Sequence, residues 1–289
     1  MLSSLALALL ALGIAGPLGA MELEPATLQA WDAYVRIADA HMQARLGGQR
    51  PFLWSDEAAG RRSLLRRGEI LVAPVSGRGT QTVPSGLIHD WIGAVFIPHA
   101  TVDEFLTVVN DYDRYREFYR PTVVDSKLLA CTSQDHRYSM VLQRRVLFVN
   151  AAVEGQYQAR DFAVDAARGY SITATTRMQE IVDYGQNGQH LLPPGHGDGF
   201  IWRLHSIVRY AERDGGLYLE VEAIALTRDI PAAFRWVVKP VVNRLSIDSL
   251  TTSLRETRDA VEARAGQPDR LVSCAGGSRN SALAAKPRL

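Results

Sequence analysis

Residues able to move protons or hold a metal are sparse in this chain, and their spacing suits binding better than catalysis. Arg144, Tyr157 and Asp161 are the acid-base candidates that an alternating strand pattern could bring near one interior, and a cyclase or hydrolase acting on a polyketide-like substrate would need them to converge there. His190 and His196 flank Pro193, Pro194 and Gly195, with Asp198 close behind. Two imidazoles and a carboxylate can ligate a metal, but a Gly/Pro loop does not hold ligands in fixed geometry, so residues 183–199 read better as a gate over a pocket mouth. His205 falls on the outward parity of its strand, a structural position. The chain has no G-x-S-x-G, G-x-x-x-x-G-K, C-x-x-C or H-E-x-x-H pattern. A disulfide between Cys131 and Cys274 would tie a core strand to a small, polar tail, so no bond is expected, and neither thiol sits in a nucleophile's setting. The reading has no catalytic residue, no metal and no cofactor.

Composition narrows the partners. The 289 residues are 47% hydrophobic with a formal net charge of +1, enough apolar material for a sizeable core and no global field to gather polyanions. Nucleic acid is not an expected partner. Leu5 to Ala15 is almost wholly apolar, broken at Gly16 and Pro17 and ended by Gly19 and Ala20, the form of a secretory signal peptide over 1–20. Export to a periplasm or the exterior follows, with an uncleaved membrane tether as the alternative.

The elements that must position any site are legible from periodicity. Pro25 to Leu46 repeats apolar residues at three and four, an amphipathic helix stopped by Gly47 and Gly48. Ser55 is placed to cap a second helix bearing Arg61, Arg62, Arg66 and Arg67, a solvated face or a peripheral contact with anionic lipid. An extended run over 69–75 closes a helical extension of 21–85. A strand at 87–97, a helix begun at Thr101 and a helical turn before Pro121 lead into period-two segments at 123–129, 137–148, 152–162, 170–182, 200–212 and 217–227. Helix returns from Pro231 to about Ala265, with Pro240 predicted to divide a short turn from a main helix. Its apolar stripe is Val241, Val242, Leu245, Leu250, Leu254 and Val261. From 266 to 289 the composition is that of a disordered tail.

Two hairpins can be registered. A turn over 213–216 sets Tyr210 opposite Leu219, Val208 opposite Val221, Ser206 opposite Ala223 and Leu204 opposite Ala225, with Arg209 opposite Glu220 on the reverse face. A turn near Val149 and Asn150 sets Leu142 opposite Tyr157 and Arg145 opposite Glu154. Opposed charges on one face and apolar pairs on the other predict a sheet wet on the charged side.

This order of elements, with Tyr115-Arg116-Glu117-Phe118-Tyr119-Arg120-Pro121 followed by Val123, Ser126, Leu128 and Leu129, and with Asp229-Ile230-Pro231 opening the last helix, resembles the START-like helix-grip superfamily of polyketide cyclases, START lipid-transfer domains and coenzyme Q-binding proteins. The resemblance implies an α+β helix-grip domain over 86–265, a curved antiparallel sheet of about seven strands wrapped around a long C-terminal helix. It also implies a pocket for a hydrophobic small molecule or lipid, to be carried or sensed. By strand parity the pocket-facing residues are Tyr138, Met140, Leu142, Arg144, Tyr157, Trp202, Leu204, Val208, Val221 and Ala223, opposed by Phe234, Val241 and Leu245. Periodicity by itself leaves a filled core as the alternative to an open pocket.

Overall fold

The computed structural model of the chain describes residues 21–77, 79–146, 149–229 and 235–264. The expected leader, Phe234 and the tail from 266 lie outside the described residues, as does the side chain of Val241. No helix among the described residues is long and apolar enough to cross a membrane.

The two-residue strand β1 (Met21–Glu22) leads to helix α1 (Pro25–Leu46), whose limits agree with its periodicity. Pro25 stands in the first turn, where its missing N–H leaves no helical bond unmade, and Gly48 at φ 73° supplies the left-handed residue after the last turn. A 3-10 turn (Trp54–Glu57) and helix α2 (Ala59–Arg66) follow, then strands β2 (Leu71–Pro74) and β3 (Thr80–Val83). The expected Ser55 cap does not form: α2 starts after Ala58 with no side-chain cap, and Ser55 is buried with its N–H donated to Glu220 at 2.8 Å. The N-terminal extension is therefore helical with three short strands, β1, β2 and β3.

Strand β4 (Gly86–Pro98) precedes α3 (Val102–Val109), which opens on a capping box. Thr101 Oγ1 accepts from the Glu104 N–H while the Glu104 carboxylate accepts from the Thr101 N–H. A 3-10 turn (Tyr112–Arg114) and α4 (Tyr115–Phe118) connect to β5 (Val123–Cys131), β6 (Asp135–Val146), β7 (Val149–Ala163) and β8 (Arg168–Val182). After short strands β9 (His190–Leu191) and β10 (His196–Gly197) come β11 (Arg203–Arg213), β12 (Gly216–Arg228) and α5 (Arg235–Arg264). Helix α5 runs unbroken through Pro240, contrary to the predicted break. A proline near the N-terminal end removes one backbone bond, and the packed turns beyond it hold the rest.

The main sheet is antiparallel in the order β2-β4-β12-β11-β8-β7-β6-β5, with β3 also on β4 and β9 on β8. Its seven long strands are those expected; the count rises to ten through β2, β3 and β9. The last hairpin pairs Tyr210 with Leu219 and Arg209 with Glu220, as the Asp214-Gly215 turn dictates. The earlier hairpin is corrected: Leu142 faces Val153 and Tyr138 faces Tyr157, because pairing continues through Val149 and Asn150. Each partner moves by four residues, an even shift, so every side chain keeps its face.

The face that the charge pattern assigned to water is buried, while the apolar face keeps its expected place toward α5. Arg209 and Glu220, assigned to water, are 1% and 0% exposed. The extension covers them. Met42 and Trp31 of α1 pack in one cluster with Ile88, Ile207, Ile224 and Leu226, while Leu53 and Leu65 pack with Phe96 and Tyr218. Glu220 accepts from the Trp54 and Ser55 N–H groups across this seam at 2.7 and 2.8 Å, and Arg209 donates to Glu222 at 3.2 Å within the sheet, while its Nη2 has no hydrogen-bond partner among the described residues. Such groups can be buried only when paired and hydrogen-bonded. On α2 and at its C-cap, Arg61, Arg62, Arg66 and Arg67 each face an acid, Glu57, Asp56, Asp214 and Glu69 respectively, which makes that surface one of mixed charge.

Candidate functional site

Helix α5 rests on one side of the other, concave face. Leu250, Leu254 and Val261 pack with Trp91 and Val95 of β4, and Gly93 permits the approach, since a Cβ there would stand 2.6 Å from Leu254 Cδ1. Tyr119 Oη and Thr257 Oγ1 meet at 3.1 Å and tie α5 to the turn after α4. Over the rest of the concave face the helix stands off the sheet, and the space between them is a cavity of about 970 Å³. Its floor is Ser171 and Thr173 of β8, Ser206 and Val208 of β11, and Val221 of β12. Its wall is Tyr138, Met140, Leu142 and Arg144 of β6. Residues from α3 to Val124, among them Phe105, Tyr112, Tyr115, Arg116, Tyr119 and Arg120, close the side, and α5 contributes Ser249, Thr252, Ser253, Glu256 and Thr257. Floor residues Ser206, Val208 and Val221 are only half-buried, although Ile207 and Glu220 beside them are fully buried beneath the extension.

Six of the residues read from parity line this cavity: Tyr138, Met140, Leu142, Arg144, Val208 and Val221. Tyr157 does not. Its ring stacks on Tyr138 at 5.1 Å, within a cluster that also takes in Met178 and Leu204, so Leu204 too lies beyond the wall. Ala223 packs against the α5 core and Leu245 is half-buried, neither on the cavity. Trp202 is the clear correction. It precedes β11, so strand alternation does not reach it, and it packs with Leu23, Trp31 and Leu226 under α1 on the opposite face.

The acid-base trio does not assemble. Arg144 pairs with Ala151, ten positions from Asp161 along β7, roughly 30 Å at about 3.3 Å per residue. Asp161 Oδ2 lies 3.3 Å from His136 Nε2, and the Tyr157 hydroxyl is buried with no hydrogen-bond partner among the described residues. Burial pushes the phenols of Tyr112, Tyr115, Tyr138 and Tyr157 far above the ordinary range and Tyr119 up to about 12, so all five remain protonated. Glu256 is the exception among the cavity's ionisable groups, its carboxyl pushed up by burial to about 7.

The 183–199 loop is not a gate. Glu180 accepts the N–H groups of Asp198, Gly199 and Phe200 at 2.7, 2.7 and 3.1 Å, β10 pairs with β1, and no residue of the loop lines the cavity. The His190 and His196 rings bond to the carbonyls of Gly188 and Pro194, and no metal-holding cluster occurs among the described residues. His205 bonds Asp39 of α1 at 3.1 Å, a structural role. Cys131 is disulfide-bonded, contrary to expectation; it ends the edge strand β5, half-buried and reachable from outside the sheet, and the sequence's other cysteine, Cys274, lies outside the described residues.

Parity could not find the α5 and α4 contributions. A signal was present: Ser249, Thr252, Ser253, Glu256 and Thr257 recur at three and four residues, a polar stripe beside the apolar one. The cavity is thus more hydroxylic than the aliphatic wall expected.

No protein-family model and no curated protein matches the sequence. Among solved structures, a STAR-related lipid transfer protein from Xanthomonas axonopodis aligns at 16% identity over 64% of this chain and 99% of its own, TM-score 0.41. The Zhui aromatase/cyclase of a Streptomyces species aligns at 13% identity over 61% and 95%, TM-score 0.39, and human STARD10 at 11% over 70% and 80%, TM-score 0.39. These likenesses extend to the form of the elements and no further. The α+β helix-grip fold itself stands on the strand order and on the placement of α5 in this chain.

Proposed function

We propose that this protein binds a hydrophobic or amphipathic small molecule in the cavity between the sheet and α5, as a carrier or sensor and not as a catalyst. The observation that carries the reading is the cavity of about 970 Å³ floored by half-buried side chains, a volume at the upper end of the roughly 300–1,000 Å³ typical of small-molecule sites. Apolar burial at about 0.8 kcal/mol per CH₂ gives a sixteen-carbon chain roughly 13 kcal/mol before association losses of about 4–15 kcal/mol. Protonated tyrosines and the α5 hydroxyls add donors that can orient oxygen atoms on a ligand. The separation of Arg144, Tyr157 and Asp161, the trio that the sequence offered for a cyclase or hydrolase, supports the binding reading. Action outside the cytoplasm belongs to the same proposal, supported by the disulfide at Cys131, since such bonds persist in oxidising compartments.

The test is organic extraction of the purified protein with mass spectrometry of what is released, repeated on Leu142→Arg. Leu142 is on the wall and half-buried, so the guanidinium would project into the space without breaking the core. Wild-type protein should release a defined apolar species and the variant should not. The same species recovered in equal amount from both would sink the reading.

A further inference from the structure

Three arginines that line the cavity have no ion pair among the described residues. Arg116 and Arg120 come from α4 and the turn after it, and Arg144 from the end of β6; all three line the cavity. The Thr122 carbonyl accepts the Gln143 N–H at 2.9 Å, which brings the Arg120 segment alongside the Arg144 end of β6. Each of two side chains is held by one neutral acceptor. Arg120 Nε donates to the Arg116 carbonyl at 2.9 Å, and Arg144 Nη1 donates to Ser249 Oγ, whose own proton goes to the Leu245 carbonyl. The remaining donors of both forks stay available.

Paired arginines stand close to these three. Most of the chain's described arginines are ion-paired, including the four on α2 and its C-cap and the neighbouring Arg114, which takes Glu117 at 2.8 Å. Among the described residues Arg116, Arg120 and Arg144 are in no ion pair. Nor can the adjoining stretches 145–150 and 230–242 supply one, since they contain no Asp or Glu. Asp248, the residue before Ser249, pairs with Arg244. The two carboxyls on the cavity stand elsewhere: Asp161 at the far end against His136, and Glu256 two helical turns beyond Ser249, about 10 Å along the axis.

We propose that this end of the cavity is an anion subsite formed by Arg116, Arg120 and Arg144, and that the ligand is an amphipathic acid with its carboxylate or phosphate held there and its apolar body lying along β6 toward Tyr138. The inference rests on the cavity-binding reading and deepens it. Planar guanidinium forks match carboxylate and phosphate oxygens; Arg144 is half-buried, while Arg116 and Arg120 are exposed at the rim. Ser249 on α5, which accepts from Arg144, stands at this end, and Ser253 lines the cavity one turn on.

The experiment compares dodecanoate, dodecyl phosphate and dodecanol, which share one body and differ in the head, by calorimetric titration of the full chain and of Arg120→Gln/Arg144→Gln. Wild-type protein should bind both anions at least tenfold more tightly than the alcohol. In the double variant that preference should fall to within about twofold while dodecanol affinity is unchanged. Comparable affinities for anion and alcohol in the wild type overturn the subsite, as does a preference that survives in the variant. Failure of all three probes to bind overturns the cavity reading beneath it, a different result. Flotation with phosphatidylglycerol and phosphatidylcholine vesicles separates the source of the anion: wild-type flotation on phosphatidylglycerol alone, with no head-group preference among the single-chain probes, would assign the arginines to a membrane surface and overturn the proposal. Should the double variant fail to fold, the wild-type ratio of anion to alcohol decides alone.

Discussion

Asp90 on β4 offers the sharpest test of the seam between the extension and the sheet. Its carboxyl is 3% exposed; Oδ2 accepts the Tyr34 hydroxyl of α1 at 2.8 Å, and Oδ1 is buried with no partner among the described residues. Burial first, then the Glu222 carboxylate, raises its pKa from 3.8 to about 7, against the opposing effects of the Tyr34 hydrogen bond and Arg209. A carboxyl with a raised folded-state pKa binds its proton more tightly in the native state. Its contribution is therefore complete below about pH 4, falls as pH rises, and is gone above about pH 7. At about 1.36 kcal/mol for each tenfold change the whole span is about 4 kcal/mol, of which about 3 kcal/mol is lost between pH 5 and pH 8. Asp90→Asn keeps an acceptor for Tyr34 and never ionises. Urea unfolding of wild type and variant at both pH values should show the variant gaining about 3 kcal/mol on the wild type from pH 5 to pH 8, with unchanged m. An equal difference at the two pH values would refute the assignment of a strained, buried carboxyl to this seam.

Three further outcomes follow from single contacts. Glu220→Ala should cost about 3–5 kcal/mol, since it strands Arg209 and the Trp54 and Ser55 N–H groups; proteolysis within 21–85 should rise with it, and a silent substitution would count against the seam. Thr101→Ala should lose about 1 kcal/mol in denaturant unfolding through the α3 capping box, and a loss below about 0.3 kcal/mol would show the box to be idle. Gly93→Val should push α5 away from β4, with a clash at Leu250 and Leu254, and lower the melting temperature by several degrees or more; an unchanged melting temperature would mean that the helix does not rest there.

Local chemistry made much of the domain legible. Thr101 with Glu104 three residues on marks a helix start whatever surrounds it, and Asp214-Gly215 sets the β11–β12 register because few residues adopt the turn's positive φ. Alternation from that turn placed Val208 and Val221 on one face, and the face survived even in the β6–β7 hairpin, whose turn was displaced. Six of the lining residues follow from parity alone.

What covers each face was decided only by the assembled chain. Arg209 opposite Glu220 is the pattern of a wet surface, and nothing within β11 or β12 says that residues more than 150 positions earlier will lie across them and hydrogen-bond to Glu220. A charge pair in sequence is compatible with water or with a satisfied interior; the choice depends on whether a distant segment brings enough apolar surface and enough donors to the same place. The cavity has the same origin. Periodicity says which way Leu142 and Ser206 point, but the gap between them and α5 exists because Gly93 seats the helix to one side of the sheet, a position set by packing among β4, α5 and α3 that strand parity does not encode.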